Sequence, residues 1–223
     1  MKKHDINFIK NNWNFKVGIL NSKSMFKAAV LIPLCEIDNE TYIIFEKRSQ
    51  NIIQANEVCF PGGKYEENDI IFSNTAIRET SEELGIPTEN ITILEELDTF
   101  FTPFNSVIYS FLGFIDITDF NSFKINENEV QNLIFVPINW LLDTEPERYK
   151  IFLESHPHTY NEIGEKIHTF PAKDLGLPSI YHNSWSNGSR EVYSYAYKNE
   201  IIWGFTALIL KNFLDKYKEI LRK

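Results

Sequence analysis

Residues 60–86, FPGGKYEENDIIFSNTAIRETSEELGI, decide the fold class of this chain. The stretch opens with a proline and a glycine pair, which interrupt regular structure. Residues 75–84 then have the composition of a helix, and Gly85 supplies the left-handed residue that commonly ends one. The stretch therefore predicts a loop that leads directly into a short helix.

Three glutamates, Glu79, Glu82 and Glu83, follow Arg78 on this predicted helix. At about 100° per residue Glu79 and Glu83 lie one turn apart on nearly the same face, and Glu82 lies about 60° to the other side of Glu79. Like charges at these spacings destabilise a helix unless a countercharge is present, and Mg²⁺ and Mn²⁺ prefer carboxylate oxygens. The alternative, for these residues taken alone, is a solvated acidic helix face.

The longer stretch resembles the signature of the Nudix family of pyrophosphate hydrolases, G-x5-E-x7-R-E-U-x-E-E-x-G-U, where U is aliphatic. The residues that occupy positions of this signature are Gly63, Arg78, Glu79, Glu82, Glu83, Gly85 and Ile86. Three departures are present: Asp69 replaces the first glutamate, one extra residue separates it from Arg78, and Thr80 replaces the aliphatic residue. The resemblance implies an α/β fold, the Nudix-type α/β/α sandwich with a mixed β-sheet.

The first two departures resemble the coenzyme A pyrophosphatase branch of this family, in which acidic residues stand at the places of Glu66 and Asp69. Both carboxylates either steer a metal or cap the following helix. Three other segments also resemble this branch: KAAVLIPL at 27–34, EVQNLIFVPINWLL at 129–142 and IIWGFTALIL at 201–210.

The upstream motif of that branch is incomplete in this chain. Arg48 and Ser49 match its R-S pair, but the following run is one residue short, lacks an arginine and has Asn56 where a glycine is expected. The expected substrate is coenzyme A or an acyl derivative. Alternatives are ADP-ribose, a nucleotide sugar or another dinucleotide, and a further alternative is a non-catalytic scaffold that senses a nucleotide.

The resemblance also implies roles for single residues. Glu79 and Glu83 are direct ligands of two or three Mg²⁺ or Mn²⁺ ions, Glu82 is a direct or water-mediated ligand, and Gly63 offers a backbone carbonyl. Arg78 orients the carboxylates, so the catalytic residues are Arg78, Glu82 and Glu83. The residues expected to bind the substrate are Arg48, Gly62, Gly63 and Lys64. The resemblance leaves the general base open.

Composition narrows the class of protein. Hydrophobic residues make up 43% of the 223-residue chain, which predicts a globular core. The formal charge of -9, without a run of Lys or Arg, argues against a nucleic-acid partner. No window approaches the roughly 20 apolar residues of a membrane span, and residues 1–20 lack the core of a signal peptide. With Cys35 and Cys59 read as reduced thiols, we expect a cytoplasmic protein without a membrane partner.

The pattern along the chain predicts a single Nudix domain over residues 1–223. Two apolar runs around the turn sequence DNE predict a hairpin of buried strands. Residues 143–193 show little period and predict an irregular insertion, and residues 200–221 have the period of a C-terminal helix. The aromatic-rich residues 98–114 either line the substrate site or pack in the core. The oligomeric state stays open, with a homodimer as one alternative.

Overall fold

The computed structural model describes residues 18–222 together with Asn14 and Lys16. The expectation about a signal peptide therefore falls largely on residues outside those described. The first strands along the chain are β1 (Phe26–Ile37), β2 (Glu40–Arg48), β3 (Val58–Cys59), β4 (Gly62–Lys64), β5 (Ile91–Glu96), β6 (Phe100–Phe101), β7 (Ser106–Ile115) and β8 (Val130–Pro137).

These strands form one eight-stranded sheet in the order β3-β2-β1-β7-β5, with β4 paired to β1, β6 to β7 and β8 to β2. Strands β1 and β7 run parallel, and the other pairs in this sheet are antiparallel. The sheet is therefore mixed, as predicted.

The turn between β1 and β2 was predicted from the sequence DNE. Asp38 and Asn39 connect the strands with φ angles of 52° and 60°. Two successive left-handed residues are typical of the two-residue hairpin turn whose twist matches that of the strands, and Asp and Asn tolerate this conformation. The register that follows pairs Ile37 with Glu40, so the hairpin prediction is confirmed.

Helices cover both faces of this sheet. They are α1 (Phe72–Leu84), α2 (Ile138–Asp143) and α3 (Gly204–Leu221). Because side chains of a strand alternate between faces, one face of β1 and β2 packs with Ala76 and Leu84 of α1. The other face packs with Leu210 and Phe213 of α3, and with residues of α2. This arrangement is the predicted α/β/α sandwich.

Residues 143–193 contain more regular structure than the sequence predicted. They hold β9 (Glu147–Ser155), β10 (His158–Tyr160), β11 (Lys166–His168) and most of β12 (Trp185–Tyr197), and β13 (Glu200–Trp203) follows. Strands β9, β12 and β13 form a second antiparallel sheet, while β10 and β11 form a hairpin. The description of this segment as irregular is wrong. Strand β9 is exposed along most of its length, so it lacks the apolar alternation that reveals a half-buried strand.

The second sheet joins the core of the sandwich through its C-terminal strands. Tyr195 and Ile202 are buried in the same cluster as the apolar face of α3. The predicted C-terminal helix begins at Gly204 rather than near residue 200, because the preceding residues pair with β12. The single-domain organisation stays a prediction. Among residues 18–222 we find no helix with the length and apolar character needed to cross a bilayer.

Candidate active site

Helix α1, which carries the three glutamates, is anchored by side chains buried against the sheet. Thr75, Ala76 and Thr80 on its inner face are fully buried. The Thr80 hydroxyl has no hydrogen-bond partner among the described residues, so this residue packs by its β-branched shape where the signature has an aliphatic residue. Gly85 ends the helix with a φ of 63°.

A loop at residues 124–129 closes the C-terminal end of α1. The Lys124 amide donates to the Leu84 carbonyl (3.1 Å) and the Asn126 amide donates to the Glu83 carbonyl (3.0 Å). A Cβ at Gly85 would lie 1.6 Å from the Lys124 carbonyl oxygen. Glycine at this position therefore allows both the helix end and the close approach of a loop that carries Glu129.

Glu83 is the most buried of the three glutamates, with 4% of its surface exposed. Its Oε2 accepts a hydrogen bond from the Gly62 amide at 2.9 Å. Gly62 has a φ of 150°, and a Cβ there would lie 2.3 Å from the Ala29 carbonyl oxygen. The glycine pair thus lets β4 approach β1 closely and direct an amide at Glu83.

Glu79 packs directly against the second glycine of the pair. A Cβ at Gly63 would lie 2.4 Å from the Glu79 Cδ and 2.5 Å from its Oε1. A side chain at position 63 would therefore occupy the space of the Glu79 carboxylate. Glu82 lies further out, with 56% of its side chain exposed. The structure brings Gly62, Gly63, Glu79 and Glu83 together and leaves Glu82 at the edge.

Arg78 connects the signature carboxylates to the loop that precedes the helix. Its Nε lies 2.8 Å from Asp69 Oδ1, and its Nη1 lies 3.0 Å from Glu79 Oε1 and 3.4 Å from Glu82 Oε2. A further donor reaches the Lys64 carbonyl at 3.2 Å. Arg78 therefore holds both the outer glutamates and the glycine loop.

Asp69 is buried and fully committed to structural contacts. Besides Arg78, its carboxylate accepts from the Thr75 hydroxyl and the Glu66 amide, both at 2.9 Å. The hydrogen bond from Arg78, helped by these two donors, holds the pKa of Asp69 well below its usual range. Helix α1 begins without a side-chain cap hydrogen bond, so neither Glu66 nor Asp69 caps it. The two residues instead close the short turn at Glu67–Asp69, and Asp69 anchors Arg78 to this turn.

Sequence reasoning missed Glu46, a carboxylate in the centre of β2. Glu46 is 1% exposed and stands opposite Cys59 of β3, whose Sγ lies 3.3 Å from Glu46 Oε1. Its Oε2 has no hydrogen-bond partner among the described residues. Burial raises the pKa of Glu46 and of Glu83, and the charge of Glu46 raises that of Glu83 further. Burial also raises the pKa of Glu79.

The donor chemistry of this region fits divalent cations. The carboxylates that gather around the glycine loop and act on one another electrostatically are Glu46, Glu79, Glu82, Glu83 and Glu129. Buried carboxylates with an unpartnered oxygen need a proton or a cation nearby, and hard oxygen donors select ions such as Mg²⁺ and Mn²⁺. Within the described part of the chain, no three potential ligand side chains already surround one point. Arg78 contacts Glu79 and Glu82, and the Gly62 amide contacts Glu83.

A cleft of about 360 Å³ adjoins these carboxylates. Arg48, Cys59 and Gly62 line it from the main sheet, and Phe104 lines it from the aromatic-rich segment. The Arg48 Nε donates to the Ile53 carbonyl at 3.0 Å, and its other donors have no partner among the residues that the structure describes. Lys64 is exposed and does not line this cleft, so the structure does not bring it together with Arg48.

The segment between Arg48 and Phe60 has a left-handed residue at the position where the upstream motif has a glycine. Asn56, which stands where a glycine is expected, has a φ of 63°. Asn and Gly are the residues that most readily adopt the left-handed conformation. The backbone shape is therefore compatible with the replacement.

Comparison with known proteins points to one family. The model of the NUDIX domain matches residues 25–155. The chain is 31% identical over 119 residues to the peroxisomal coenzyme A diphosphatase of Mus musculus, covering 52% of this chain and 49% of that protein. It is also 31% identical over 127 residues to the mitochondrial coenzyme A diphosphatase of Homo sapiens, covering 56% of this chain and 54% of that protein.

The chain thus spans about half the length of these curated relatives. Among solved structures, a MutT/nudix family protein from Enterococcus faecalis superposes with a TM-score of 0.48 at 16% identity, covering 97% of this chain and 69% of that chain. The family model matches more than half of the chain, and it includes the glycine loop, helix α1 and the glutamates described above. The chain belongs to the Nudix family.

Proposed function

We propose that this protein is a divalent-cation-dependent pyrophosphohydrolase whose substrate is coenzyme A or an acyl derivative. The observation that carries the proposal is the pair Glu79 and Glu83, held against Gly63 and Gly62, where Gly62 also lines a cleft together with Arg48. The two relatives at 31% identity described above are coenzyme A diphosphatases, which supports this substrate.

Glu79, Glu82, Glu83 and the Gly63 carbonyl would hold two or three Mg²⁺ or Mn²⁺ ions. When bound, such ions neutralise the diphosphate and lower the pKa of a coordinated water. In the reaction, water adds to one phosphorus, the bond from that phosphorus to the bridging oxygen breaks, and the bridging oxygen leaves with the other phosphate. The products from coenzyme A are 4′-phosphopantetheine and 3′,5′-ADP.

The other residues of the site position these groups. Arg78 fixes Glu79 and is itself fixed by Asp69, so the orientation of the carboxylates depends on a buried anchor. The Gly62 amide fixes Glu83. Arg48 offers free guanidinium donors to an anionic substrate in the cleft, because this group matches phosphate oxygens in a bidentate geometry.

A second candidate is hydrolysis of ADP-ribose, a nucleotide sugar or another dinucleotide. It is favoured by the segment before Phe60, which lacks the arginine of the coenzyme A motif. This candidate uses the same carboxylates and differs only in the group attached to the nucleoside diphosphate.

A product assay separates the two candidates. Purified protein is incubated with Mg²⁺ or Mn²⁺ and coenzyme A, acetyl-coenzyme A, ADP-ribose or NADH, and the products are resolved by chromatography. We expect 3′,5′-ADP from coenzyme A to form fastest, and no product in EDTA or with the Glu83→Gln variant. Turnover of ADP-ribose or NADH without turnover of coenzyme A would contradict the proposed substrate and support the second candidate. Absence of turnover with every substrate and both metals would contradict the enzyme proposal and favour a sensing role.

A further inference from the structure

Arg190, on strand β12, enters the same cleft from the second sheet. Its guanidinium carbon lies 4.7 Å from the ring centre of Phe205 and 5.7 Å from that of Phe104. Phe205 belongs to the first turn of α3, and both rings line the cleft together with Arg190. The side chain is therefore held by aromatic contacts at the wall of the cleft.

The donors of this guanidinium are not satisfied by the described residues. The Arg190 side chain makes no hydrogen bond or ion pair with them, and its Nε is buried without a partner. A guanidinium carries five N–H donors and keeps its charge at every physiological pH. Contacts with aromatic faces attract the charge of the guanidinium but satisfy none of these donors. A bound anion would satisfy them.

The surroundings of Arg190 are suited to an anion. Arg48 lines the same cleft, and the first turn of α3 contains no acidic residue, so the positive end of its dipole is not neutralised from within. Glu57 is the acidic residue that lines the cleft among the described residues. The volume of about 360 Å³ is within the range of small-molecule sites.

Gly62 connects this cleft to the signature carboxylates. It lines the cleft and donates its amide to Glu83. A diphosphate bound at the signature glutamates would therefore lie beside Gly62, and this cleft would receive one of the two groups attached to it. Arg190 lies on the part of the cleft formed by Phe104 and Phe205, and the signature residues Arg78, Glu79, Glu82 and Glu83 are not among the residues that line this cleft.

We propose that Arg190 is a specificity-determining residue that binds a phosphate group of the substrate outside the scissile diphosphate. The inference rests on the proposed function and deepens it, since it assigns a residue to recognition of a nucleotide with an additional ribose phosphate. Arg190 lies beyond the residues 25–155 that the family model matches. The contact therefore belongs to the C-terminal part of this chain and not to the common signature.

Nucleotide binding tests this proposal without catalysis. Calorimetry measures the affinity of 3′,5′-ADP and of 5′-AMP, which differ by one phosphate, for the wild-type protein and for Arg190→Gln, Arg190→Lys and Arg148→Gln. Arg148 is the matched control, because it is an exposed arginine on the neighbouring strand β9 that pairs with Glu191. Thermal unfolding of each variant reports whether the fold is retained.

We expect the wild-type protein to bind 3′,5′-ADP at least 10-fold more tightly than 5′-AMP. Arg190→Gln is expected to abolish this difference without weakening 5′-AMP, Arg190→Lys to keep part of it, and Arg148→Gln to keep all of it. Equal affinity of the wild-type protein for both nucleotides would overturn the proposal. Equal weakening of both by Arg190→Gln would also overturn it, because it would show a structural role, base stacking or contact with the 5′-phosphate.

A kinetic comparison separates this inference from the proposed function. With coenzyme A and dephospho-coenzyme A as substrates, Arg190→Gln is expected to raise KM for coenzyme A at least 10-fold and to leave kcat and the KM for dephospho-coenzyme A nearly unchanged. An unchanged KM for coenzyme A would contradict the role of Arg190. If the wild-type protein hydrolyses neither substrate, the proposed function fails, and the two nucleotide affinities still decide whether Arg190 binds the additional phosphate.

Discussion

Glu83 is the most buried of the three signature glutamates, and its charge can be removed with little change of side-chain shape. Glu83→Gln keeps the volume of the side chain but weakens its capacity to bind a divalent cation. We expect kcat/KM to fall by more than the roughly 100-fold that loss of an outer-shell partner of a metal site costs. The thermal midpoint of the metal-free protein should not fall, because a buried carboxyl is replaced by a neutral amide.

Steady-state kinetics and thermal unfolding check this expectation side by side. Glu95→Gln is the matched control, since Glu95 is an exposed glutamate on strand β5. Retention of half or more of the wild-type activity by Glu83→Gln would refute the ligand role of Glu83.

Gly63 tests the position of Glu79 without touching a charged residue. In Gly63→Ala the added Cβ would lie 2.4 Å from the end of the Glu79 side chain. That end is flexible, so we expect the fold to persist, the carboxylate to move, and kcat/KM to drop at least 10-fold. In the control Gly18→Ala the added Cβ meets nothing within 4 Å. Unaltered kinetics of Gly63→Ala, measured with the control, would show that Glu79 tolerates displacement.

The residues of the signature could be identified from the sequence because their types and spacing are a local property of one helix. Glu46 could not be identified in that way, since it lies in strand β2 and not on the helix of the signature. It comes close to Glu83 only when the folded sheet packs against that helix. Its signal was the period of β2: Tyr42, Ile44 and Glu46 share one face, and a glutamate in a series that otherwise packs under α1 is unusual. The effect of Glu46 on the pKa of Glu83 depends on the burial of both side chains, which the composition of the chain does not reveal.

The turn before α1 and the helix itself act as one element, because Asp69 and Arg78 join them. Asp69→Asn removes the charge of a buried acceptor, and charge-assisted hydrogen bonds of this kind contribute about 1.5–3 kcal/mol. We expect a loss of about 1–3 kcal/mol in the free energy of unfolding at pH 7. Denaturant unfolding measures it, with Asp116→Asn, at an exposed aspartate, as the control.

The pH dependence of this loss has a defined sign. The pKa of Asp69 is lower in the folded protein than in the unfolded chain. Its ionisation therefore stabilises the fold fully above the unfolded value of about 3.9, and the contribution declines as the pH falls below that value toward the folded-state pKa. The difference between wild type and Asp69→Asn should be constant from pH 6 to pH 8 and shrink below about pH 4. A difference that grows with acidification would contradict the assignment.

Elements were predictable from the sequence where they are half-buried. The hairpin of β1 and β2 combines apolar runs with a turn whose residues accept positive φ, and α1 ends at a glycine, so local chemistry and burial agree. Strands β9 and β12 carry few buried side chains, and their pairing is interrupted by a shift between Ser186 and Ser189. These strands pair across a long separation in sequence and have no continuous buried face. Their sequences therefore lack the alternation of apolar and polar residues from which a strand is predicted.

At the scale of the whole molecule, the net charge is -9, and several of the negative charges are concentrated around the glycine loop. Cations that bind only the folded protein stabilise it by about 2.7 kcal/mol at 100 times their Kd. We therefore expect Mn²⁺ or Mg²⁺ to raise the thermal midpoint by about 5–10 °C for a chain of this size. Differential scanning fluorimetry checks the shift, which EDTA should reverse. A shift of equal size in Glu83→Gln would indicate that the ions bind elsewhere.

The parallel pairing of β1 with β7, from Phe26 opposite Ser106 to Leu34 opposite Phe114, also bears on the order of folding. Such contacts close a long loop of chain, and the entropy of that closure slows folding. Every residue of the signature precedes β7 in the sequence, yet the sheet that buries Glu83 requires this strand. A nascent chain that ends before β7 therefore contains the complete signature but not the arrangement that gives it a chemical function.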